Sequence, residues 1–227
     1  TNTYTGSTTI DANARVELAG EGRISDSSRI VNNGVLSLAD ANGDRSFRSL
    51  AGSGILDMGD RSIFLTNAND GFSGSIRGAG GVTVSGGTQT FSGSNLYTGA
   101  TTINGGAQLR LEGFGSISTS SLVNANGRFD ISGTVLGAAI RTLTGNGMVV
   151  LGDRLLVLTD GSTDFAGVIS GGGGLSVLGG TQTLSGANTY SGATTVNGGT
   201  LSFSGGNACT NCASPVVSNW AICGLPL

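Results

Sequence analysis

The three cysteines, Cys209, Cys212 and Cys223, are the residues best suited by type to covalent or metal chemistry in this 227-residue chain. The Cys209-Thr-Asn-Cys212 spacing invites two readings, a zinc-ligand pair and a thioredoxin-like redox pair. A structural zinc takes four ligands, and the chain supplies three thiols and no His at all. A redox pair needs a strand before it and a helix starting at it, and neither pattern surrounds 209–212. A disulfide is the better reading: Cys223 with Cys209 or Cys212, or a thiol left for an intermolecular link. No catalytic, cofactor-binding or metal-binding residue is expected, and no cofactor.

Carboxylates are the next chemical groups, since paired acids can cleave or bind glycans. Asp57, Asp60 and Asp70 would be candidates, but 93 residues on, where the sequence repeats itself, stand Val150, Asp153 and Thr163. Only Asp60 and Asp153 match. Each is followed by an Arg (Arg61, Arg154), which reads as a turn with a local ion pair. The run Asp40-Ala-Asn42-Gly-Asp44 lacks the bidentate Glu that closes an EF-hand loop, and reads as a solvated turn. Thr8-Thr9, Thr101-Thr102 and Thr194-Thr195 would make a hydroxyl-bearing surface only if they lay on adjacent coils, together with Thr88/Thr90 and Thr181/Thr183. Without His, there is no Ser–His–Asp or Cys–His nucleophile either. The chain is expected not to be an enzyme.

Elements that could position any such group must be built from an unusual composition. Gly (42), Ser (28) and Thr (25) make up about two-fifths of the chain, there is no Lys, and the net charge is −3. A mildly acidic chain without Lys excludes the clustered positive field of a nucleic-acid binder. No run approaches 18 apolar residues, so no helix spans a membrane. Gly/Ser/Thr richness could mean disorder, but 37% of residues are hydrophobic and they alternate in short runs. Val35-Leu36-Ser37-Leu38, Val82-Thr83-Val84, Leu109-Arg110-Leu111, Phe129-Asp130-Ile131 and Leu175-Ser176-Val177 are short strands flanked by Gly, Asn or Asp turns.

The strongest signal is self-similarity. Tyr4-Thr-Gly-Ser-Thr-Thr-Ile10 recurs as Tyr97-Thr-Gly-Ala-Thr-Thr-Ile103 and as Tyr190-Ser-Gly-Ala-Thr-Thr-Val196, at intervals of 93 residues. Residues 4–96 slide onto 97–189 without a gap, with 40 of 93 pairs identical, and a partial third copy covers 190–205. Independent globules would let their loops drift in length. Fixed loop lengths predict a solenoid in which each turn stacks on an equivalent turn of the next layer. At three strands per coil, one unit is expected to hold about four coils of around 23 residues, and the chain to be a rod of roughly 45 Å. A pair of sandwich domains is the competing all-β reading; the short apolar runs and few aromatics disfavour it. Residues 1–205 therefore form the solenoid. Residues 206–227, with all three Cys, both Pro and the lone Trp220, form a non-repeat tail: a cap, an interaction peptide or a reading-frame artefact.

The run from Gly179 to Leu201, with Thr181-Gln-Thr-Leu-Ser-Gly-Ala-Asn-Thr-Tyr190-Ser-Gly-Ala-Thr-Thr-Val196-Asn-Gly-Gly-Thr-Leu at its heart, closely resembles the passenger-associated transport repeat of type V autotransporters. Gly87–Leu109 matches nearly as well, and Asn2–Ile10 is similar to the end of a third copy. The resemblance covers these three stretches directly, and the segments between them fit the same fold by periodicity alone. It implies a right-handed, single-stranded parallel β-helix of about ten coils with an irregular C-terminal tail, exported through the outer membrane of a Gram-negative bacterium. In that family the repeat is thought to help the passenger fold during secretion. The 227 residues hold neither a signal sequence nor a translocator barrel, so a processed piece or fragment is expected. Cys is usually scarce in such passengers, which sets the tail apart.

Together these observations predict an extracellular, cell-surface rod, a stalk or adhesive scaffold. Its expected partners are further copies stacked end to end and host or matrix glycans and proteins. Nucleic acid and a membrane span are not expected. A carbohydrate-binding or polysaccharide-degrading β-helix is the alternative.

Overall fold

In the computed structural model the described residues are 2–204 and the backbone of 213–217. Cys209, Cys212, Cys223 and Trp220 lie outside them, and with them the expected disulfide. The described residues form short strands of two to seven residues and no helix. Alternation of small polar and apolar residues lets each strand turn one side inward. Thr88–Phe91, for example, runs exposed, buried, intermediate, buried.

All strand pairings are parallel, and each joins a strand to the one a full turn later. The turn length varies: the turn from Thr8 to its partner Ile30 is longer than the turn from Arg45 to its partner Ile63. The strands stack on three faces. Face one runs from Thr8–Ile10 through Ile30–Asn32 and Leu50–Ala51, crosses the bridge Gly52↔Phe72, and continues to Val168–Ser170. Face two carries Arg15–Glu17 through Ser75–Arg77, then Ala138–Ile140 through Ala193–Val196. Face three carries Arg45–Phe47 through Leu143–Thr144 and, across the bridge Gly145↔Phe165, Asp164–Phe165 to Thr200–Phe203. The strand Ala213–Val217, inside the segment read as a tail, adds to face two beside Ala193–Val196. The result is an all-β solenoid of about ten turns.

One expectation fails. The sequence unit is not a whole number of turns, and turns such as Ile30 to Leu50 or Ile63 to Val82 are shorter than the coil expected from the sequence. From Thr8, pairing leads through Ile30, Leu50 and the register of Gly71 to Thr90, four turns up face one. The second copy's Thr101–Ile103 lies two faces further on, on face three, and the third copy's Ala193–Val196 lies on face two. A unit therefore spans about four and two-thirds turns. Equivalent residues of successive copies do not lie over one another; each copy is turned by two-thirds of a revolution relative to the last. Fixed loop lengths are still required, because every loop sits on a loop of the neighbouring turn. That loop belongs to another part of the same unit.

The glycines show this directly. A Cβ on Gly54 would collide with the Gly34 carbonyl, one on Gly74 with the Gly54 carbonyl, and one on Gly93 with the Gly74 carbonyl, so these corners must be glycine. Gly127, Gly147, Gly167 and Gly186 repeat the same close stack in the second copy, at a different corner. Inside the corners one apolar core runs from Ile10 to Leu201. Phe47, Phe72, Phe91, Phe129 and Phe165 are its largest apolar side chains and are fully buried.

Candidate functional site

The residues with the most constrained chemistry point into the core. Gln89 occupies an inward position between Thr88 and Thr90, where alternation would place an apolar residue. A buried amide is costly unless it is hydrogen-bonded. Its Nε2 donates to the carbonyls of Leu50 (2.9 Å) and Asp70 (3.0 Å), and its Oε1 accepts from the Leu50 amide at 3.4 Å. Gln182 does the same on another face. Its Nε2 donates to the carbonyls of Leu143 and Thr163, both at 2.9 Å, and its Oε1 accepts from the Leu143 amide at 3.3 Å. Leu50 lies two turns before Gln89, as Leu143 lies two turns before Gln182. One side chain thus fixes the register of three consecutive turns.

Six positions further on, the buried Asn95 and Asn188 accept from the backbone amides of Ile76 (3.1 Å) and Ile169 (2.9 Å), in the preceding turn. Their Nδ2 groups donate back to the carbonyls of Gly93 and Gly186. A hydroxyl chain completes the set. Tyr97 and Thr101 share a hydrogen bond of 2.6 Å, and Thr101 and Ser120 one of 2.8 Å, all within the core. Tyr190 and Thr194 pair at 2.7 Å. The first copy repeats the chain as Tyr4–Thr8 (2.7 Å) and Thr8–Ser27 (2.8 Å), but there Tyr4 is exposed. Burial pushes the Tyr97 phenol well above its ordinary range and the Tyr190 phenol in the same direction, against the opposing bonds from Thr101 and Thr194.

These positions show that the condition for a hydroxyl surface is not met, and one expectation, the ion pairs beside Asp60 and Asp153, is corrected. Thr101 and Thr194 are interior, and the three Thr pairs lie on three faces, so they make no common hydroxyl surface. Thr88/Thr90 on face one and Thr181/Thr183 on face three do not stack either. Gly59-Asp60-Arg61 and Gly152-Asp153-Arg154 are turns, closed by Arg61 N–Met58 O and Arg154 N–Leu151 O bonds. The expected ion pairs are not among those of the described residues. The Arg154 guanidinium instead donates to the Val135 carbonyl.

The other acids are spread out. Asp57 accepts from the Gly59 amide, Asp44 from the Ser62 amide, and Asp70 pairs with Arg29 at 3.0 Å. Among the described residues, no three His, Cys, Asp or Glu side chains gather to hold a metal. Sequence reasoning missed the inward roles of Gln89, Gln182, Asn95 and Asn188. The available signal was a Gln at an inward position of an alternating strand, recurring one sequence unit later.

Two segments of the chain, 86–107 and 179–203, match the family model described as the passenger-associated-transport-repeat. Gln89, Asn95, Tyr97 and Thr101 fall in the first segment, and Gln182, Asn188, Tyr190 and Thr194 in the second. Each matched segment therefore carries the interior hydrogen-bond set together with core apolar residues such as Phe91 and Leu184. No curated protein and no solved structure matches the chain.

Proposed function

Carrying the passenger-associated-transport repeat twice on a β-solenoid, the chain fits an autotransporter passenger, a class secreted or held at the cell surface, and we propose that it acts there as a structural stalk or scaffold. The supporting observation is the single core, unbroken from Ile10 to Leu201 over about ten turns and registered by Gln89 and Gln182. A body built this way is stiff, and its useful property is length. The repeat's part is to lock register: each Gln secures its own turn to the two before it, which suits a chain that must assemble its coils in order on export. Further copies stacked end to end are partners that such parallel turns could accept, through the same main-chain pairing that joins one turn to the next. Host or matrix glycans and proteins are the surfaces such a rod would contact, without enzymatic turnover.

Small-angle scattering from the purified chain tests the reading. A rod of about 48 Å is expected from ten turns at roughly 4.8 Å each, lengthening in steps if copies stack. A compact, isometric particle would overturn it. Release of reducing ends from a panel of polysaccharides would favour the glycan-degrading alternative instead.

A further inference from the structure

The two copies share a backbone at one outer corner but fill it differently. In the first copy, the corner leading into face three is plugged by Arg45, which is 4% exposed. Its guanidinium is satisfied by carbonyls alone: Nε donates to Gly22 (2.9 Å), Nη2 to Gly20 (2.5 Å), and Nη1 to Gly43 (2.6 Å) and Asp44 (3.0 Å). In the second copy the same corner leads into face two, and Ala138 stands where Arg45 would. The frame is kept. Gly115 N donates to Glu112 O as Gly22 N does to Ala19 O. Val135 N donates to Gly113 O as Asn42 N does to Gly20 O, and Ala138 N to Leu155 O as Arg45 N does to Ser62 O.

Where the guanidinium lies in one copy, the other has a cavity of about 180 Å³ lined by Gly113, Gly115, Leu136, Gly137 and Ala138, with Phe114 on its rim. The loop departs from the first copy at Gly137, whose φ is +85°. The carbonyls that the two corners hold in common are therefore those of Gly113 and Gly115. The rim also changes character. Phe114 (72% exposed) and Leu136 (81% exposed) replace Glu21 and Gly43. The Gly20 carbonyl takes both the Asn42 amide and Arg45, whereas the Gly113 carbonyl takes the Val135 amide without a second donor among the described residues, and an aromatic face beside that spare acceptor capacity suits a planar cation.

We propose that this corner is a receptor for an arginine side chain presented by a partner polypeptide, its guanidinium donating to the Gly113 and Gly115 carbonyls against Phe114. The inference goes beyond the structural reading above, since a rod without the receptor remains a rod. Lysine fits poorly: its compact ammonium cannot span two carbonyls and lie flat on a ring at once.

Amide NMR of the whole chain titrated with N-acetyl-arginine methylamide tests it, with the lysine counterpart as control. The expected result is saturable shifts at Gly113, Gly115, Gly137 and Ala138 in the millimolar range, at least about fivefold weaker for lysine. The Arg45-filled corner at Gly20 and Gly22 should stay silent. Ala138→Arg supplies the occupant internally and should abolish the response while the fold is kept. Phe114→Ala leaves the frame intact and should weaken binding about two- to fivefold. No shift at the corner, an equal response to lysine, or a response surviving in folded A138R would each overturn the proposal.

Discussion

Copy one and copy two of the 93-residue unit differ at an outer corner and agree in their inward Gln and Asn and in the Tyr–Thr–Ser bonds. At the outer corner, Glu21, Gly43 and Arg45 become Phe114, Leu136 and Ala138. By contrast, the Tyr–Thr–Ser chain recurs bond for bond from copy one to copy two, and in the interior Gln89 and Gln182 hold Leu50 and Leu143 through the same atoms. This agreement survives a rotation of two-thirds of a turn. A side chain inside the solenoid meets the same surroundings on any face: an apolar layer, a carbonyl one turn back and another two turns back. The interior is therefore selected for register along the axis, while the direction each copy faces is left to the number of residues per turn.

The largest test of that equivalence removes the amide. Gln89→Met and Gln182→Met each keep roughly the volume and lose the bonds to two earlier turns. Each is expected to lower the unfolding free energy by about 2–3 kcal/mol, at roughly 1 kcal/mol per bond lost. The glutamines lie several turns apart on different faces, so the double variant should show the sum. Urea unfolding measures all three. A cost several times larger in one copy would break the claim that the interior is blind to face.

The same comparison explains what the sequence could and could not reveal. Alternating runs such as Val82-Thr83-Val84, glycine turns and the gapless repeat were enough for a parallel solenoid with three strands per coil. Rotation was hidden because a repeat reports spacing along the chain, not angle around an axis. Turn length differs from one loop to the next, as between those before Ile30 and Ile63, and those small differences set the phase. The inward Gln was hidden by a rule that is right for most strand positions: inward means apolar. Arg45 was hidden because its partners are carbonyls, which sequence never displays.

A middle-sized effect contrasts the two ends of the hydroxyl series. Tyr97→Phe removes a buried bond to Thr101 and should cost about 1 kcal/mol. Tyr4→Phe removes the equivalent bond at an exposed position and should stay within about 0.5 kcal/mol. Alkali sharpens the difference. The Tyr97 phenol titrates higher when folded than when unfolded, so its contribution is complete below about pH 10 and is lost as pH rises beyond that. Stability followed by urea midpoints from pH 8 to 11 should fall in the parent and in Y4F, and fall less in Y97F. Equal alkaline loss in all three would place the sensitivity elsewhere.

The smallest effect reads one position in the two copies at the acid end. Ser37 is buried with no hydrogen-bond partner for its hydroxyl among the described residues. Its counterpart is Asp130. Burial pushes the Asp130 carboxyl up, but bonds from the Ser132 side chain and amide and from Arg128 outweigh it and hold the carboxyl below its ordinary range. A carboxyl depressed in the folded state stabilises above its unfolded pKa, near 3.9, and that stability is lost as pH falls through the folded value. Asp130→Ser writes copy one's residue into copy two and should flatten part of the acid limb below about pH 4, leaving the neutral region less changed than Gln182→Met does. Arg128 is nearly half exposed, so water screens its share, and added salt should shrink the acid difference between parent and variant further. An acid limb unchanged by D130S would mean that the donors around Asp130 serve the turn at Ser132 rather than the charge.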